Sequence, residues 1–180
     1  MQMTIRDATP DDLPAILSIY NYAVLQTTAV WSESPSDLSE RQTWFAARKQ
    51  HGFPVLVAEA SGRVIGFSSF GDFRPWTGYR HTVENSVYVD PSFHRCGAGR
   101  ALLRPLIARA VELEKHVMVA GIEASNEASL ALHLSEGFSH SCRLPEVGCK
   151  FGRWLDLILL CRKLDVRAAP GDAFAKEAPR

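Results

Sequence analysis

The sequence predicts one domain of the α+β class, a three-layer arrangement in which helices flank a mixed β-sheet. Strand-like apolar runs recur along the chain, at 54–58, 64–70, 82–90, 117–122 and 154–164. Runs with helical spacing lie between them, and short segments rich in Gly, Pro, Ser or Asp separate the two types. The predicted order of elements is β-α-α-β-β-β-α-β-α-β-β, over residues 3–164.

Two helices are predicted after a short first strand around Ile5. Thr9-Pro10-Asp11-Asp12 is a helix start, with a hydroxyl cap, a proline and acids in the first turn, and an apolar stripe follows from 13 to 24. Ser36-Asp37 begins a second helix that extends to about residue 50. Trp31, in the loop between the helices, is predicted either to join the core or to line a ligand pocket.

The middle of the chain predicts a β-hairpin, with strands at 54–58 and 64–70 and a turn at Ser61-Gly62. An irregular segment, GDFRPWTGYRHT, leads into the central strand at 82–90. A helix is predicted from about 99 to 115.

The last third predicts alternating strands and helices. The run at 117–122 lacks polar alternation, which predicts a strand buried on both faces. A helix at 126–136 ends at Gly137. A strand at 139–144, a loop to residue 152 and a strand at 154–164 complete the domain. Residues 165–180, with Ala, Pro, Gly and mixed charge, predict a disordered tail.

Composition excludes several classes of function. The 180 residues are 46% apolar, and 20 basic residues balance 20 acidic ones, so no basic excess favours a nucleic-acid partner. No apolar run approaches the ~20 residues of a membrane span, and the N-terminus lacks the pattern of a signal peptide. No Cys-x-x-Cys or His-x-x-x-His pair occurs, so we expect reduced cysteines, a cytoplasmic location and no metal. The cysteines are Cys96, Cys142, Cys149 and Cys161.

Residues 85–103, NSVYVDPSFHRCGAGRALL, combine a strand, a glycine loop and the start of a helix. A helix N-terminus presents unpaired N–H groups and partial positive charge to the loop before it. Gly97 and Gly99 let the backbone approach a phosphate, and Arg95 and Arg100 can add charged donors. Alone, the loop fits an anion site and a plain turn equally. It lacks both the Gly-Lys-Ser/Thr of a P-loop and the full dinucleotide fingerprint.

The loop resembles the pyrophosphate loop of the GNAT N-acetyltransferase family, Gln/Arg-x-x-Gly-x-Gly/Ala, with His94 departing from the pattern at its first position. The predicted order of elements is also that of this family. The runs TVENSVYV, HVMVAGIEASNEASLALH and RLPEVGCKFGRWLDL are similar to the branch that includes phosphinothricin acetyltransferases and methionine sulfone/sulfoximine acetyltransferases. The resemblance covers residues 3–164 and implies the GNAT fold.

The resemblance implies that acetyl-CoA is the cosubstrate. Backbone groups of Val87, Tyr88 and Val89 would bind the pantetheine arm and polarise the thioester carbonyl. Asn126 resembles the family's cofactor-contacting Asn, although it also suits a helix N-cap. Ser135 would touch the far end of the cofactor, or else be an ordinary surface residue. The pyrophosphate would lie on residues 95–100, which are Arg95, Cys96, Gly97, Ala98, Gly99 and Arg100.

Acetyl transfer to an amine requires a base that removes a proton from the amine. Glu84 lies on the central strand among mostly apolar neighbours and matches the branch's base position; the alternative is an ordinary strand acid paired with Arg80. Partial burial would raise the pKa of its carboxyl toward working pH. His133 occupies the position where many family members have a Tyr that protonates the thiolate. A CoA thiol has a pKa low enough to leave with little help, so His133 is not expected to be essential.

The acceptor site is predicted around the irregular segment. Arg74, beside Pro75 and Trp76, could pair with an amino-acid carboxylate or with a sulfone, sulfoximine or phosphinate oxygen. By the resemblance, Asn85 and Ser86 complete the site beside Glu84. Further candidates are Arg80, His81, Lys150 and Arg153.

The leading prediction is an acetyl-CoA-dependent N-acetyltransferase that acts on the α-amine of a small amino acid or analogue, such as phosphinothricin, methionine sulfone or methionine sulfoximine. One alternative is an acetyltransferase of protein or peptide N-termini. The other is a CoA-binding domain without catalysis. A homodimer is expected by resemblance, and no nucleic-acid or membrane partner is expected.

Overall fold

The structure of the protein, a computed structural model, describes residues 2–170. Within this range the elements follow the predicted order, so the predicted fold class is confirmed. The strands are Thr4–Asp7 (β1), Val55–Ala60 (β2), Arg63–Asp72 (β3), Thr82–Val89 (β4), Val117–Glu123 (β5), Ser139–Lys150 (β6) and Arg153–Lys163 (β7). The α-helices are Leu13–Gln26 (α1), Leu38–Gln50 (α2), Ala98–Glu112 (α3) and Glu127–Ser135 (α4).

The strands form one sheet in the order β1-β2-β3-β4-β5-β7-β6. All neighbours are antiparallel except β4 and β5, which are parallel. A parallel pair needs a crossover connection, and α3 supplies it. The carboxyl ends of β4 and β5 therefore lie at the same edge of the sheet, and the helices that follow them, α3 and α4, begin at that edge.

The helices cover the two faces of the sheet because strand side chains alternate between faces. On the first face, Val57 and Phe67 pack with Ile16 of α1 and Phe45 of α2. The second face, against which α3 packs, has a core that includes Leu56, Phe70, Leu102, Leu103 and Leu106. Leu130 and Leu132 of α4 also pack against this second core.

The start of α1 is tied to the sheet by a buried acid. Asp12 accepts hydrogen bonds from Arg6 through both carboxylate oxygens, at 2.7 and 2.8 Å, and Arg6 also donates to Glu59 of β2. The guanidinium of Arg6 holds the pKa of Asp12 below its ordinary value. This network lies on β1 and β2, at the opposite end of the strand order from β5 and β7.

The predicted loop before residue 152 is wrong. β6 continues to Lys150, and the turn to β7 consists of Phe151 and Gly152, both with left-handed φ. Pro145 and Gly148 suggested a loop, but the register shifts between Leu144 and Gly148, which marks a bulge. Proline is tolerated in a bulge on an edge strand because its missing N–H is not needed there.

The exposure of one residue of β5 and the contacts of Asp165 were not predicted from the sequence. Gly121 is exposed, although the other residues of β5 are half-buried or buried. In the predicted tail, Asp165 accepts a hydrogen bond from Arg167 and lies 2.7 Å from a ring nitrogen of His116. Residues 171–180 lie outside the described residues, and the disordered tail stays a prediction.

Candidate active site

A gap opens between the two parallel strands at the centre of the sheet. The pairing of β4 with β5 ends at Glu84 and Val119, whereas β4 remains paired with β3 as far as Val89. Within the described part of the chain, residues 85–89 of β4 therefore have no continued strand partner on the β5 side. Backbone N–H and C=O groups along such an edge require a hydrogen-bond partner, and a bound ligand can supply it. The predicted residues Val87, Tyr88 and Val89 lie on this edge.

Glu84 lies at the closed end of the gap. Its side chain is half-buried and faces β5, where a Cβ added to Gly121 would come within 2.8 Å of the Glu84 Oε1 atom. Burial raises the pKa of the Glu84 carboxyl, and the positive charge of Arg74 opposes this shift. A carboxylate with a raised pKa beside exposed backbone is a suitable general base.

The glycine loop lies at the open end of the gap. Gly97 caps α3 with a φ of 87°, in the left-handed region, and a Cβ there would meet nothing within 4 Å. Arg95, two residues earlier, has a φ of 61°. The first intrahelical bond runs from Ala101 N to Gly97 O, so the N–H groups of Ala98 and Gly99 are free of intrahelical partners. Such a loop can hold an anion.

Side chains around the glycine loop link it to the end of α4. The exposed Arg100 side chain donates to the Ser135 hydroxyl at 3.0 Å and forms an ion pair with Glu136 at 2.9 Å. The structure thus brings two predicted cofactor residues together. Cys96 is exposed, and its thiol donates to the carbonyl of Phe93.

Asn126 begins α4 at the same edge of the sheet. Its Oδ1 accepts a hydrogen bond from the backbone N–H of Ser129 at 3.1 Å, which is an N-cap. The cap occupies the carbonyl oxygen of the amide, and its NH₂ group has no protein partner among the described hydrogen bonds. The cap and the predicted cofactor contact are therefore compatible.

Asn85 and Ser86 point to opposite faces of the sheet. Ser86 is exposed on the face that carries Glu84, and its contact with an acceptor stays a prediction. Asn85 is buried, and both polar atoms of its side chain are bonded inside the protein, to Val119 and His133. Its side chain is therefore not available to an acceptor.

His133 is also committed to the interior. Its Nδ1 lies 2.8 Å from the carbonyl oxygen of Ser129 and its Nε2 lies 3.0 Å from Asn85 Oδ1. Burial lowers the pKa of the His133 imidazole. Both ring nitrogens therefore contact groups of the protein itself.

The loop between β3 and β4 presents an exposed aromatic surface next to Glu84. Arg74 is exposed and lies over the ring of Phe73, 4.2 Å from its centroid. Trp76 and Tyr79 are also exposed, and Tyr79 packs against Phe73. Pro75 is exposed between Arg74 and Trp76. Planar cations and aromatic side chains suit a small zwitterion with an apolar or tetrahedral side group.

Lys150 does not face the acceptor site. Its side chain is 1% exposed, and its Nζ donates to the carbonyl oxygens of Val24, Thr27 and Val30, at 2.5, 2.7 and 2.5 Å. These carbonyls lie at the C-terminal end of α1 and in the following loop, where the helix dipole favours a cation. The prediction of a substrate contact by Lys150 is therefore wrong, and its role is to fix this loop.

The loop after α1 reaches β5 close to Gly121. Thr28 donates to the buried Glu123 carboxylate at 2.8 Å, two residues beyond Gly121. Trp31 lies against Gly148, where a Cβ would overlap its ring, and its Nε1 donates to the carbonyl of Thr28. Trp31 therefore packs on β6, and Thr28 is the loop residue that reaches β5.

Sequence reasoning missed Gly121, Glu123 and Thr28. A signal for Gly121 was present, because a glycine inside an apolar strand marks a close approach of another group. Nothing in the sequence pairs Thr28 with Glu123, which are 95 residues apart.

The comparison with known sequences and structures agrees with this geometry. The sequence profile of the Acetyltransferase (GNAT) family matches residues 16–138. The chain belongs to this family. Among relatives, the L-methionine sulfoximine/L-methionine sulfone acetyltransferase of Pseudomonas paraeruginosa is 53% identical over 172 residues, 94% of this chain and all of that protein. The phosphinothricin N-acetyltransferase of Alcaligenes faecalis is 40% identical over 90% of this chain and 83% of that protein.

Solved structures are equally similar to this GNAT chain. The acetyltransferase yncA of Salmonella typhimurium, solved with its cofactor acetyl-CoA, is 51% identical, with a TM-score of 0.93 over 94% of this chain and 98% of that one. A ribosomal-protein-alanine N-acetyltransferase from Brucella melitensis is 52% identical, with a TM-score of 0.88 over 89% of this chain and 99% of that one. The predicted family and branch are confirmed.

The gap and the glycine loop of the GNAT chain suit acetyl-CoA, the cosubstrate of this family. The free edge of β4 can bond the amides of the pantetheine arm, and the first turn of α3 can bind a pyrophosphate. No group of three or more His, Cys, Asp or Glu side chains within residues 2–170 could hold a metal ion. In the same part of the chain, every helix is too short or too polar to cross a membrane.

We expect Gly121→Ala to displace the Glu84 carboxylate. The new Cβ would lie 2.8 Å from Oε1 but at ordinary distances of 3.6 and 3.8 Å from Leu157 and Leu159, so the flexible carboxylate would move and the strands would not. A displacement of about 1 Å predicts a loss in kcat/KM of about 10²-fold. The measurement is acetyl transfer by Gly121→Ala, with its melting temperature and CoA affinity as controls.

The double variant Gly121→Ala/Glu84→Gln identifies the cause. If Gly121 acts through Glu84, Gly121→Ala lowers kcat/KM in the wild-type background and has almost no further effect in the Glu84→Gln background. Equal losses in both backgrounds would contradict this explanation.

Proposed function

We propose that this GNAT chain transfers acetyl from acetyl-CoA to the α-amine of a small amino acid or analogue, with methionine sulfoximine and methionine sulfone as the first acceptors to test and phosphinothricin next. The observation that carries the proposal is the half-buried Glu84 carboxylate at the closed end of the gap, next to the exposed backbone of Gly121. The names of relatives that are 53% and 40% identical support these acceptors.

Glu84 is the general base of the proposed reaction. An amino acid reaches the site with a protonated amine, which must lose a proton before it can attack. Glu84 accepts this proton, directly or through one water molecule, and its raised pKa brings it closer to working pH. Acetyl-CoA supplies the acetyl group as a thioester, so the new C–N bond forms as the C–S bond breaks.

The remaining predicted cofactor residues have separate roles in the proposal. The backbone of Val87, Tyr88 and Val89 binds the pantetheine arm and orients the thioester carbonyl, because this edge of β4 continues from Glu84. Asn126 and Ser135 border the cofactor from α4. The pyrophosphate is held by the loop and first turn of α3, which are Arg95, Cys96, Gly97, Ala98, Gly99 and Arg100.

The acceptor is held beside the loop between β3 and β4. Arg74 pairs with its carboxylate or its tetrahedral oxygens, and Pro75 and Trp76 cover its apolar part. Ser86 adds a hydroxyl on the same face as Glu84. Asn85 contributes no side-chain contact, because its amide is bonded to Val119 and His133.

A second candidate function has one specific observation in its favour. The Brucella melitensis structure, 52% identical, carries the name of a ribosomal-protein-alanine N-acetyltransferase, and that name describes an N-terminal amine of a protein. A third candidate is a CoA-binding domain without catalysis, and the half-buried position of Glu84 beside Gly121 favours an enzyme over it.

We also propose that the enzyme is cytoplasmic and dimeric. Its four cysteines are all free, as expected for a reducing compartment. An apolar surface, the β6–β7 end, consists of Leu144, Val147, Phe151 and Trp154, which are 36%, 52%, 56% and 67% exposed. β6 is an edge strand, and a second copy of the chain would cover both the edge and the aromatic residues. Cell fractionation that places the protein outside the cytoplasm would contradict the first proposal.

Glu84→Gln is the decisive variant for the reaction. We expect wild-type enzyme to release CoA thiol with methionine sulfoximine, methionine sulfone or phosphinothricin, and the variant to lose about 10²-fold or more in kcat/KM, as removal of a general base predicts. Glu112→Gln, an exposed change on α3, is the matched control and should leave the rate unchanged.

The acceptor panel separates the three candidates. It contains the three analogues, free amino acids and a peptide that begins with alanine. Turnover of the peptide alone would contradict the small-molecule assignment. CoA binding without turnover of any acceptor would indicate the non-catalytic domain.

Arg74→Gln should alter both acceptor binding and the pH profile. Loss of a charged hydrogen bond, worth about 1.5–3 kcal/mol, predicts an acceptor KM about 10- to 100-fold higher. The positive charge of Arg74 lowers the pKa of Glu84, so its removal raises that pKa further. Glu84 is active when deprotonated, and the acidic limb of kcat/KM therefore moves to higher pH. Arg74→Lys keeps the charge and should keep the limb in place; equal limbs in wild type and Arg74→Gln would disprove this coupling.

Trp154→Asp should convert the dimer to monomer. A charge on this 67%-exposed residue would have to be desolvated at the proposed interface. Sedimentation equilibrium measures the change, and Val111→Asp, on the exposed side of α3, is the control. A monomeric wild-type protein would rule out the interface.

A further inference from the structure

Asn85 lies where the two parallel strands part. It is the first residue of β4 beyond the pairing with β5, and its Nδ2 donates at 3.0 Å to the carbonyl oxygen of Val119, the last β5 residue that is paired with β4. The side chain is 8% exposed. A buried polar side chain at this point ties together the two strands at the apex of the gap, just before they diverge.

His133 holds the Asn85 amide in this orientation. Because Asn85 Nδ2 is used on Val119, its Oδ1 is the acceptor, and His133 Nε2, 3.0 Å away, is the donor. His133 is 4% exposed and packs edge-on against Phe138, with ring centroids 5.0 Å apart. With the proton on Nε2, Nδ1 is an acceptor, and the Ser129 hydroxyl, 3.5 Å away on the same helix, can donate to it. The chain of contacts therefore runs from α4 through Asn85 to β5.

The point at which β4 and β5 separate, the apex of the gap, affects both the base and the free edge of β4. Glu84 is the last paired residue before the apex, and residues 87–89, the free edge of β4, follow it. Backbone hydrogen bonding alone does not fix the residue at which two paired strands separate. The pairing of β4 with β5 could end one residue earlier or later. Without a fixed apex, the distance between the base and the cofactor edge would vary, and a misplacement of about 1 Å can cost about 10²-fold in rate.

We propose that Asn85 and His133 form a positioning pair that fixes where β4 and β5 separate, and thereby sets the width of the cofactor gap and the position of Glu84. Neither side chain touches substrate or cofactor. The proposal rests on the proposed function only in that acetyl-CoA occupies the gap. This role also explains why two polar side chains are buried at a place where apolar residues could pack. Buried polar groups with all their hydrogen bonds made favour a single arrangement of the strands.

The test compares variants that break the two hydrogen bonds separately. Asn85→Asp can accept from His133 but has no donor for Val119, and Asn85→Ala makes neither bond. His133→Gln offers an amide donor toward Asn85, and His133→Ala offers none. CoA affinity by calorimetry, kcat, and the acceptor KM at saturating acetyl-CoA are measured for each variant.

We expect Asn85→Asp, Asn85→Ala and His133→Ala to weaken CoA binding about 10-fold or more and to lower kcat, with an acceptor KM within about threefold of wild type. His133→Gln should remain within about threefold in every quantity. Asp12→Ala is the control for stability, because it removes the ion pair between Arg6 of β1 and the buried Asp12 at the start of α1, and it should lower the melting temperature without a change in CoA affinity.

Wild-type affinity in the Asn85 variants would overturn the proposal, and so would an equal loss of affinity in Asp12→Ala. If Asn85→Ala does not fold, the comparison of His133→Gln with His133→Ala still decides, because both retain Asn85. Failure of the wild-type protein to bind CoA would instead contradict the proposed function, so the two failures are distinguishable.

Discussion

The short parallel pairing of β4 with β5 is the constraint on which the rest of the site depends. The two strands share backbone hydrogen bonds only over residues 82–84 of β4, and beyond that point each must satisfy its facing groups in another way. Because the strands are parallel, the helices that follow them begin at the same edge of the sheet. The gap therefore has a closed end with a carboxylate and an open end with the N-termini of α3 and α4, where a partial positive charge favours an anion.

Burial shifts the pKa values of the groups beside the gap more than neighbouring charges do. Glu84 is half-buried and has a raised pKa, because the charge of Arg74 offsets only part of the desolvation. Burial also raises the pKa of Tyr88 to about 12, so its hydroxyl remains protonated at neutral pH and adds no second negative charge beside Glu84. A carboxylate with a raised pKa, between a neutral Tyr88 and the cation Arg74, can accept a proton from an amine.

The loop after α1 is held in place from the far end of the sheet. Lys150 buries its ammonium group against three backbone carbonyls at the end of α1, and Trp31 packs over Gly148 on the same strand. A buried cation usually needs an anion, but three carbonyl dipoles at a helix C-terminus can replace it. Strand β6 thus fixes the loop that brings Thr28 to Glu123, although β6 itself lies outside the site.

The sequence alone determined the order of the elements, the glycine loop and the candidate base, because periodicity, turn residues and a left-handed Gly97 are local properties. It also indicated the family through separated motifs. Only the tertiary structure decided which face each side chain occupies and what it contacts: Asn85 turned inward to Val119 and His133, Lys150 reached the end of α1, and Gly121 came to lie against Glu84. These contacts join residues 34 to 126 positions apart, and their pairing depends on strand register and twist, which no local pattern encodes.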